Sequence, residues 1–231
     1  MSAGLTSRDV CVLIPTFNEV KSIATLIRNA QGAGFKVILS DDGSVDGTRA
    51  AVEAIGGAQV LSSDLNQGKG ACIRRGIQEF LKTNLKAVVL MDGDGQHDPA
   101  ELHLFLDALN LKHADLVIGN RMASPQGMPW VRRLTNLFLS SILSFVSGQK
   151  VPDSQCGYRV LTREAAQKIS IRSNRFEVES EIILEASRRG FEIASVPIRC
   201  FYADEVSRIH PIRDTFRFFF FLFRYWTRAG S

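Results

Sequence analysis

The sequence lacks closely spaced cysteines and long uncharged apolar runs. Its four cysteines form no C-x-x-C pair, so neither a disulfide framework nor a structural zinc site is predicted. No stretch reaches the roughly 18 apolar residues that a membrane span needs, and the polar first nine residues do not resemble a signal peptide. We therefore expect a cytoplasmic protein with reduced thiols that does not cross a bilayer. The cysteines are Cys11, Cys72, Cys156 and Cys200.

A large excess of one charge is also absent. The chain has 28 Lys and Arg against 24 Asp and Glu, a formal charge of +4, which is too small to define a nucleic-acid-binding protein. The Walker A spacing and a G-x-G-x-x-G after the first strand are both missing, which argues against a P-loop NTPase and a dinucleotide-dependent redox enzyme. With 231 residues, 45% of them hydrophobic, the chain is expected to fold around a single core.

Short apolar runs typical of buried strands alternate with segments of helical periodicity. Asn18 is predicted to cap the first helix, and Asp98, Pro99 and Glu101 mark the start of a later one. The alternation predicts an α/β fold, in which a mostly parallel sheet is flanked by helices and binds ligands at the carboxyl ends of its strands. Strands are expected at 10–14, 36–39, 58–61, 87–91, 115–119, 157–161 and 191–196, and helices at about 46–55, 70–82, 131–147 and 177–189.

Polar, glycine-rich clusters follow five of these strands. Because the carboxyl ends of parallel strands meet at one edge of a sheet, the clusters are expected to converge on a single site. They are residues 15–19, 41–44, 66–70, 92–96 and 119–121.

The cluster after the fourth strand contains Asp92-Gly93-Asp94. Two carboxylates separated by one small residue can hold Mg²⁺ or Mn²⁺ and leave coordination positions open for phosphate oxygens. Gln96 can add a neutral oxygen. The alternative is an ordinary acidic turn, since Asp and Gly are favoured in turns.

Two other clusters point to a nucleotide. Asp41 and Asp42 can accept hydrogen bonds from a base or ribose, although the same segment also resembles a helix start capped by Ser44 or Asp46. Lys69, between two glycines at the start of a helix, can hold a phosphate. Together these clusters favour a nucleoside diphosphate bridged to the protein by a metal ion.

Five ordered segments resemble the motifs of family 2 inverting glycosyltransferases, in particular the polyprenyl-phosphate branch that includes dolichol-phosphate mannose synthase. The resemblance implies the GT-A (Rossmann-like) fold, a GDP- or UDP-sugar donor, a Mg²⁺ or Mn²⁺ cofactor and a polyprenyl-phosphate acceptor. The segments are residues 14–19, 41–48, 66–70, 91–99 and 153–159.

The resemblance also implies roles for individual residues. Ser207-Arg208 matches a Ser-Lys pair on a mobile loop that closes over the donor, and Glu179 matches a carboxylate of unassigned role at a helix start. Together with the residue patterns above, the donor-binding set is Pro15, Thr16, Glu19, Asp42, Lys69, Asp92 and Ser207, and the metal ligands are Asp92, Asp94 and Gln96. The catalytic set is Asp94, Arg121, Arg208 and, as a candidate base for a hydroxyl acceptor, Asp153.

The acceptor is less closely defined than the donor. A phosphomonoester acceptor needs no strong general base, because its second pKa of about 6 leaves it ionised at neutral pH. A sugar or small-molecule hydroxyl acceptor would need one, and Asp153, Asp94 or Glu179 would have to supply it. A third hypothesis is a non-catalytic module that binds nucleotide-sugars or lipids.

Two amphipathic stretches, 131–147 and 213–228, suggest how the protein reaches a lipid. The first has a polar stripe opposite an apolar one, and the second places four arginines on one stripe beside phenylalanines. An interfacial helix at anionic headgroups fits the second stretch, and a core-packed or dimer-forming helix is the alternative. We therefore expect a catalytic domain at 1–211 and a membrane-surface helix at 212–231, peripheral on the cytoplasmic face, with the oligomeric state left open. The polar stripe of the first is Arg133, Asn136, Ser140, Ser144 and Ser147, its apolar stripe is Leu134, Phe138, Ile142, Phe145 and Val146, and the arginines are Arg213, Arg217, Arg224 and Arg228.

Overall fold

The computed structural model describes residues 4–175, 177–202 and 211–229, without the side chains of 211–216, 226, 228 and 229. Within this part of the chain, seven strands form one sheet. The strands are β1 (Val10–Thr16), β2 (Lys36–Asp41), β3 (Ala58–Ser62), β4 (Ala87–Leu90), β5 (Leu116–Asn120), β6 (Arg159–Thr162) and β7 (Ile193–Pro197). Their order in the sheet is β3-β2-β1-β4-β6-β5-β7.

The described helices cover the sheet, as the alternating sequence pattern predicts. They are α1 (Ile23–Gly32), α2 (Thr48–Ile55), α3 (Lys69–Leu81), α4 (Leu102–Lys112), α5 (Trp130–Ser147), α6 (Arg163–Lys168), α7 (Val178–Arg188) and α8 (Pro211–Ala229). Most bounds lie within two residues of the predicted ones. The short helix α6 is an element that the periodicity did not predict.

Strand β6 runs against its neighbours. It pairs antiparallel with β4 and with β5, while the other described pairs are parallel. Arg159, the first residue of β6, lies opposite Leu90, the last residue of β4. The reversal therefore places the segment before β6 at the same edge of the sheet as the segments that follow β1, β2 and β4.

The core is built on β1, all seven residues of which are buried. Buried on both faces, this strand needs the continuous apolar run found in the sequence. Helix α1 covers it with Ile23, Leu26, Ile27 and Ala30, which are buried at the predicted i, i+3, i+4 and i+7 positions. Burying each of the large side chains contributes about 1.5–3 kcal/mol.

The predicted helix starts have different outcomes. Asp98 is confirmed as a cap, because its side chain accepts a hydrogen bond from the Ala100 N–H at the start of the 3₁₀ turn that leads into α4. The prediction that Asn18 caps the first helix is wrong, since α1 begins at Ile23 after Ser22. Asn18 instead adopts a left-handed conformation and accepts from the Val45 N–H at 2.9 Å. It therefore ties the loop after β1 to the loop after β2.

Helix α5 turns most of its polar stripe inward together with Leu139 and Leu143, while Arg133 at its start is exposed. Asn136, Ser140 and Ser147 are buried, whereas Leu134, Phe138 and Phe145 are 57%, 53% and 89% exposed. The buried polar groups are hydrogen-bonded, as burial requires: Ser140 Oγ donates to Asn136 Oδ1 at 3.1 Å and accepts from the Ser154 N–H at 2.8 Å. An amphipathic helix of a water-soluble domain normally has the opposite orientation, so the exposed apolar stripe needs another explanation.

Helix α8 extends this apolar surface. Its Phe218 is buried in the core, while Phe219, Phe220 and Phe223 are 46%, 61% and 68% exposed. The rings of Phe219 and Phe138 lie 6.4 Å apart, so α5 and α8 adjoin. We call the combined exposed surface the α5–α8 apolar face. It consists of Trp130, Leu134, Leu137, Phe138, Phe145, Phe219, Phe220 and Phe223.

Candidate active site

Hydrogen bonds connect the polar clusters at the carboxyl edge of the sheet. The Asp42 N–H donates to the Thr16 carbonyl at 2.9 Å, which joins the loops after β1 and β2. Ser22 Oγ donates to the Gly93 carbonyl at 2.6 Å, which joins the start of α1 to the loop after β4. Parallel pairing of β1 with both β2 and β4 brings these segments together.

Asp42 is 2% exposed and holds the turn before α3. Its Oδ1 accepts from the Gln67 N–H at 3.0 Å and its Oδ2 from the Gly68 N–H at 2.7 Å. A Cβ at Gly68 would lie 2.2 Å from the Asn174 carbonyl oxygen, so only glycine fits there. Asp42 thus fixes the loop that presents Lys69, and its contact with a nucleoside, like those of Pro15, Thr16 and Glu19, stays a prediction.

Lys69 bridges two carboxylates. Its Nζ lies 2.5 Å from Asp92 Oδ1 and 2.5 Å from Glu179 Oε1. Burial alone would lower the pKa of Lys69, but the two carboxylates raise it above its ordinary value. Burial likewise opposes ionisation of Asp92, yet Lys69 keeps the pKa of that carboxyl lowered. Both groups are therefore charged at neutral pH, and Lys69 neutralises one of the two negative charges.

The loop before β6 lies directly against Asp92. A Cβ on Gly157 would sit 2.2 Å from Asp92 Oδ2, so only glycine allows this approach. His97, on the same loop as Asp92, is 3% exposed, and burial lowers its pKa to about 4. The imidazole is thus neutral at neutral pH.

Asp94 and Gln96 occupy the outer part of the same loop and are only partly buried. Asp94 Oδ1 accepts from the Gln96 N–H at 3.0 Å. The Gln96 carbonyl accepts from the Phe201 N–H at 3.0 Å, and Cys200 Sγ lies 3.8 Å from Gln96 Oε1. The chain following β7 therefore returns to the predicted metal ligands just before residue 203.

Arg121 and Asp153 form a buried ion pair. Arg121 Nε and Nη2 each donate to the carboxylate at 2.8 Å, and the Arg121 N–H and Asn136 Nδ2 donate to it at 3.0 and 2.7 Å. Burial alone would lower the pKa of Arg121, but Asp153 raises it well above its ordinary value; the same pairing outweighs burial and lowers the pKa of Asp153. A carboxylate that accepts four hydrogen bonds at a lowered pKa is poorly suited to remove a proton near neutral pH.

Arg159 was not singled out from the sequence, although it is 1% exposed and central to the site. Its guanidinium donates to the backbone carbonyls of Cys156, Ser154 and Glu179 at 2.6, 2.7 and 2.5 Å. It therefore joins the loop before β6 to the first turn of α7. The motif around Cys156 contains this arginine, but which groups it contacts depends on the tertiary structure.

The sequence model described as glycosyl transferase family 2 matches residues 11–170. The chain belongs to this family. It is a glycosyltransferase, as several of its curated relatives are by name.

Two relatives and one solved structure illustrate the similarity to this glycosyltransferase. Glycosyltransferase AglJ of Haloferax volcanii is 33% identical over 220 residues, which cover 93% of this chain and 71% of the relative. Polyprenol monophosphomannose synthase of Mycolicibacterium smegmatis is 30% identical over 200 residues, covering 81% and 75%. Glucosyl-3-phosphoglycerate synthase of Mycobacterium tuberculosis, solved with Mn²⁺, UDP and glucosyl-3-phosphoglycerate, has a TM-score of 0.69 at 21% identity, covering 89% and 79%. The mostly parallel sheet and this likeness confirm the predicted GT-A fold.

The donor atoms of the glycosyltransferase fit a hard divalent cation. Asp92, Asp94 and Gln96 offer only oxygen, which Mg²⁺ and Mn²⁺ prefer. Within the described ranges, no group of three or more His, Cys, Asp or Glu side chains is arranged to hold a metal ion.

Two predicted site residues cannot be placed. Ser207 and Arg208 lie outside the residues that the structure describes, so their contact with the donor stays a prediction. The side chains of Arg213 and Arg228 also lie outside it, whereas Arg217 and Arg224 are described and exposed. In the part of the chain that the structure describes, none of the helices combines the length and the hydrophobicity of a membrane span.

Proposed function

We propose that this glycosyltransferase moves a sugar from a GDP- or UDP-sugar to a polyprenyl phosphate at a membrane surface. The relative named polyprenol monophosphomannose synthase supports the acceptor class, and the structure solved with UDP supports a nucleotide donor. The oxygen donors of Asp92, Asp94 and Gln96 support a divalent cation as cofactor.

One observation carries the lipid acceptor: helix α5 connects the candidate active site to the α5–α8 apolar face. On its inner side Asn136 donates to Asp153 at 2.7 Å, next to Arg121. On its outer side Phe138 is 53% exposed. A lipid whose tail lies along the apolar face would therefore carry its phosphate toward the edge of the sheet where the polar clusters meet.

The reaction forms a bond between an oxygen of the lipid phosphate and the anomeric carbon of the sugar. The bond from that carbon to the nucleoside diphosphate breaks, and the diphosphate leaves with the electron pair. A phosphomonoester with a second pKa of about 6 is already ionised at pH 7. No general base is required, which agrees with the engagement of Asp153 by Arg121.

The protein contributes charge at the leaving group. Arg121 gives Nε and Nη2 to Asp153, and the guanidinium N–H groups not used in this pair can donate to a diphosphate. When bound by Asp92, Asp94 and Gln96, a divalent cation supplies further neutralisation of the diphosphate charge. Lys69 keeps Asp92 ionised and in place.

A transfer assay tests the proposed acceptor. The enzyme is incubated with Mn²⁺, labelled GDP- and UDP-sugars, and either a polyprenyl phosphate or a soluble sugar acceptor. We expect label in the lipid extract for at least one donor, and none with the matching polyprenol, which lacks the phosphate. Product formed only on the soluble hydroxyl acceptor would refute the lipid proposal and favour that alternative.

The α5–α8 apolar face, together with the arginines of α8, predicts membrane binding that depends on lipid charge and salt. Each arginine near an anionic surface contributes about 1 kcal/mol, whereas apolar burial is insensitive to salt. We expect sedimentation with anionic liposomes to weaken as salt rises without disappearing. Because two arginines are lost, changing Arg217 and Arg224 to Glu should weaken binding at least about 30-fold.

A matched control reverses the same number of charges elsewhere. Arg28 on α1 and Arg49 on α2 are exposed arginines outside the α5–α8 apolar face. Their change to Glu should leave liposome binding nearly unchanged. If the wild-type protein stays in the supernatant at low salt, or both double variants bind alike, the interfacial role of α8 is wrong.

A further inference from the structure

Glu179 has an unusual environment for a buried carboxylate. It lies in the first turn of α7 and is 5% exposed. Its Oε1 accepts from Lys69 Nζ at 2.5 Å, but its Oε2 is buried without a hydrogen-bond partner among the described residues. A buried polar atom left without a partner costs about 1–3 kcal/mol, so such atoms usually have a reason.

Two other glutamates on α7 provide an internal comparison. Glu181 is 4% exposed, and its Oε2 accepts from the Arg172 and Ser173 N–H groups at 3.0 and 2.8 Å. Glu185 is 5% exposed and accepts from the Tyr225 hydroxyl at 2.9 Å and from Arg188. The other two buried carboxylates of the helix thus receive hydrogen bonds from protein groups, whereas Oε2 of Glu179 receives none from the described residues.

The position of Glu179 points to a substrate group. Lys69 connects it to Asp92, a predicted metal ligand at the end of β4. The backbone carbonyl of Glu179 is fixed by Arg159 Nη1, so the first turn of α7 is held against the site. Lys69 thus holds the Glu179 side chain and Arg159 holds its backbone. The unpartnered oxygen, Oε2, therefore has a fixed position beside the predicted donor phosphates.

Hydrogen-bonding chemistry limits what can bind this oxygen. A carboxylate oxygen accepts hydrogen bonds, and an ionised phosphate oxygen is also an acceptor with no hydrogen to donate. A neutral hydroxyl can donate a hydrogen bond to the carboxylate, and a hydrogen bond to a charged group is stronger than one between neutral groups.

We propose that Glu179 Oε2 accepts a hydrogen bond from a hydroxyl of the transferred sugar, which makes Glu179 a specificity-determining residue. This inference rests on the proposed function, because it requires a nucleotide-sugar donor. A site built to bind a hydroxyl discriminates strongly against an analogue that lacks it. Glu179 would thereby help decide which sugar the enzyme transfers.

Binding measurements can separate contact with the sugar from a general effect on the site. Affinities for UDP and UDP-glucose, and for GDP and GDP-mannose, are measured with Mn²⁺ for wild type, Glu179→Ala and Glu179→Gln. We expect the alanine variant to lose about 10- to 150-fold in affinity for the nucleotide-sugar, the range for a hydrogen bond to a charged group. Affinity for the nucleoside diphosphate should change less than about twofold, because it contains no transferred sugar.

Deoxy donors identify the hydroxyl. One of the 2-, 3-, 4- or 6-deoxy analogues should bind the wild type as weakly as the intact donor binds Glu179→Ala. The same analogue should lose no further affinity for Glu179→Ala, because the sugar hydroxyl and the carboxylate are the two partners of one hydrogen bond. Glu181→Gln, a buried neighbour on the same helix, is the matched control and should keep the preference for the intact donor. The isosteric Glu179→Gln guards against misfolding of the alanine variant, which melting temperatures of all variants would detect.

Two results would overturn the inference in distinguishable ways. If the wild type binds and transfers a sugar but the Glu179 variants lose UDP and UDP-sugar affinity equally, Glu179 only positions Lys69 and Asp92, or contacts the ribose. If the wild type binds no nucleotide-sugar at all, the proposed function fails, and this inference fails with it.

Discussion

Replacing Asp94 with alanine is expected to lower the rate of sugar transfer about 10³-fold, the scale of losing a group that stabilises transition-state charge. Asp94 is partly buried on the loop after β4 and is a proposed metal ligand, so its loss would leave a diphosphate beside an incomplete cation site. The variant also loses the hydrogen bond from the Gln96 N–H, which contributes about 1 kcal/mol to folding. The fold should therefore survive.

Initial rates over a Mn²⁺ titration, with thermal melts of both proteins, check this result. Asp98→Asn is the control, because asparagine can replace aspartate as the cap of the following 3₁₀ turn. It should retain activity and metal dependence. An Asp94→Ala enzyme with more than a tenth of the wild-type rate, or a wild type indifferent to EDTA, would contradict the assignment.

Replacing Arg159 with methionine is expected to lower the free energy of unfolding by about 3–5 kcal/mol. The apolar side chain fills much of the volume but supplies no donor to the carbonyls of Ser154, Cys156 and Glu179. Each buried carbonyl left without a partner costs about 1–3 kcal/mol. For a domain of this size the loss corresponds to a fall in melting temperature of roughly 10 °C.

Urea unfolding of wild type and variant measures the difference. Arg163→Met is a matched control, since Arg163 donates to the carbonyls of Leu81 and Leu85 but is only half-buried. Water can reach its partners, so the loss there should be about 1–2 kcal/mol. Equal losses at the two positions would show that Arg159 has no special structural role.

Much of the fold was predictable because local patterns determine it. The apolar run at Val10 to Ile14 indicates a doubly buried strand, and Asp98-Pro99 marks a helix start without reference to the rest of the chain. The reversed direction of β6 and the true role of Asn18 were not predictable in the same way. Both depend on partners distant in sequence, Leu90 and Val45, which local periodicity does not reveal.

The candidate site likewise has features that the sequence predicts and features that depend on tertiary contacts. The parallel-sheet rule brings Asp42, Asp92 and Arg121 to one edge from sequence alone. It does not reveal that Lys69 is held between Asp92 and Glu179. Nor does the amphipathic pattern of α5 say which stripe faces inward, because a polar stripe is buried only where groups such as Asp153 and Ser154 can satisfy it.

The place of β6 in the sheet also constrains how the protein is assembled during synthesis. Because β6 lies between β4 and β5, those two strands have no direct pairing. A nascent chain that has emerged only to Gly148 contains β1 to β5, yet its sheet ends at β4 and leaves an apolar edge unpaired. Domains tend to fold as units once their elements are available, and unpaired strand edges promote aggregation. The second half of the sheet can therefore pair with the first only after β6, a strand of four residues, has been synthesised. The same holds for the loop that carries Asp153 and Gly157.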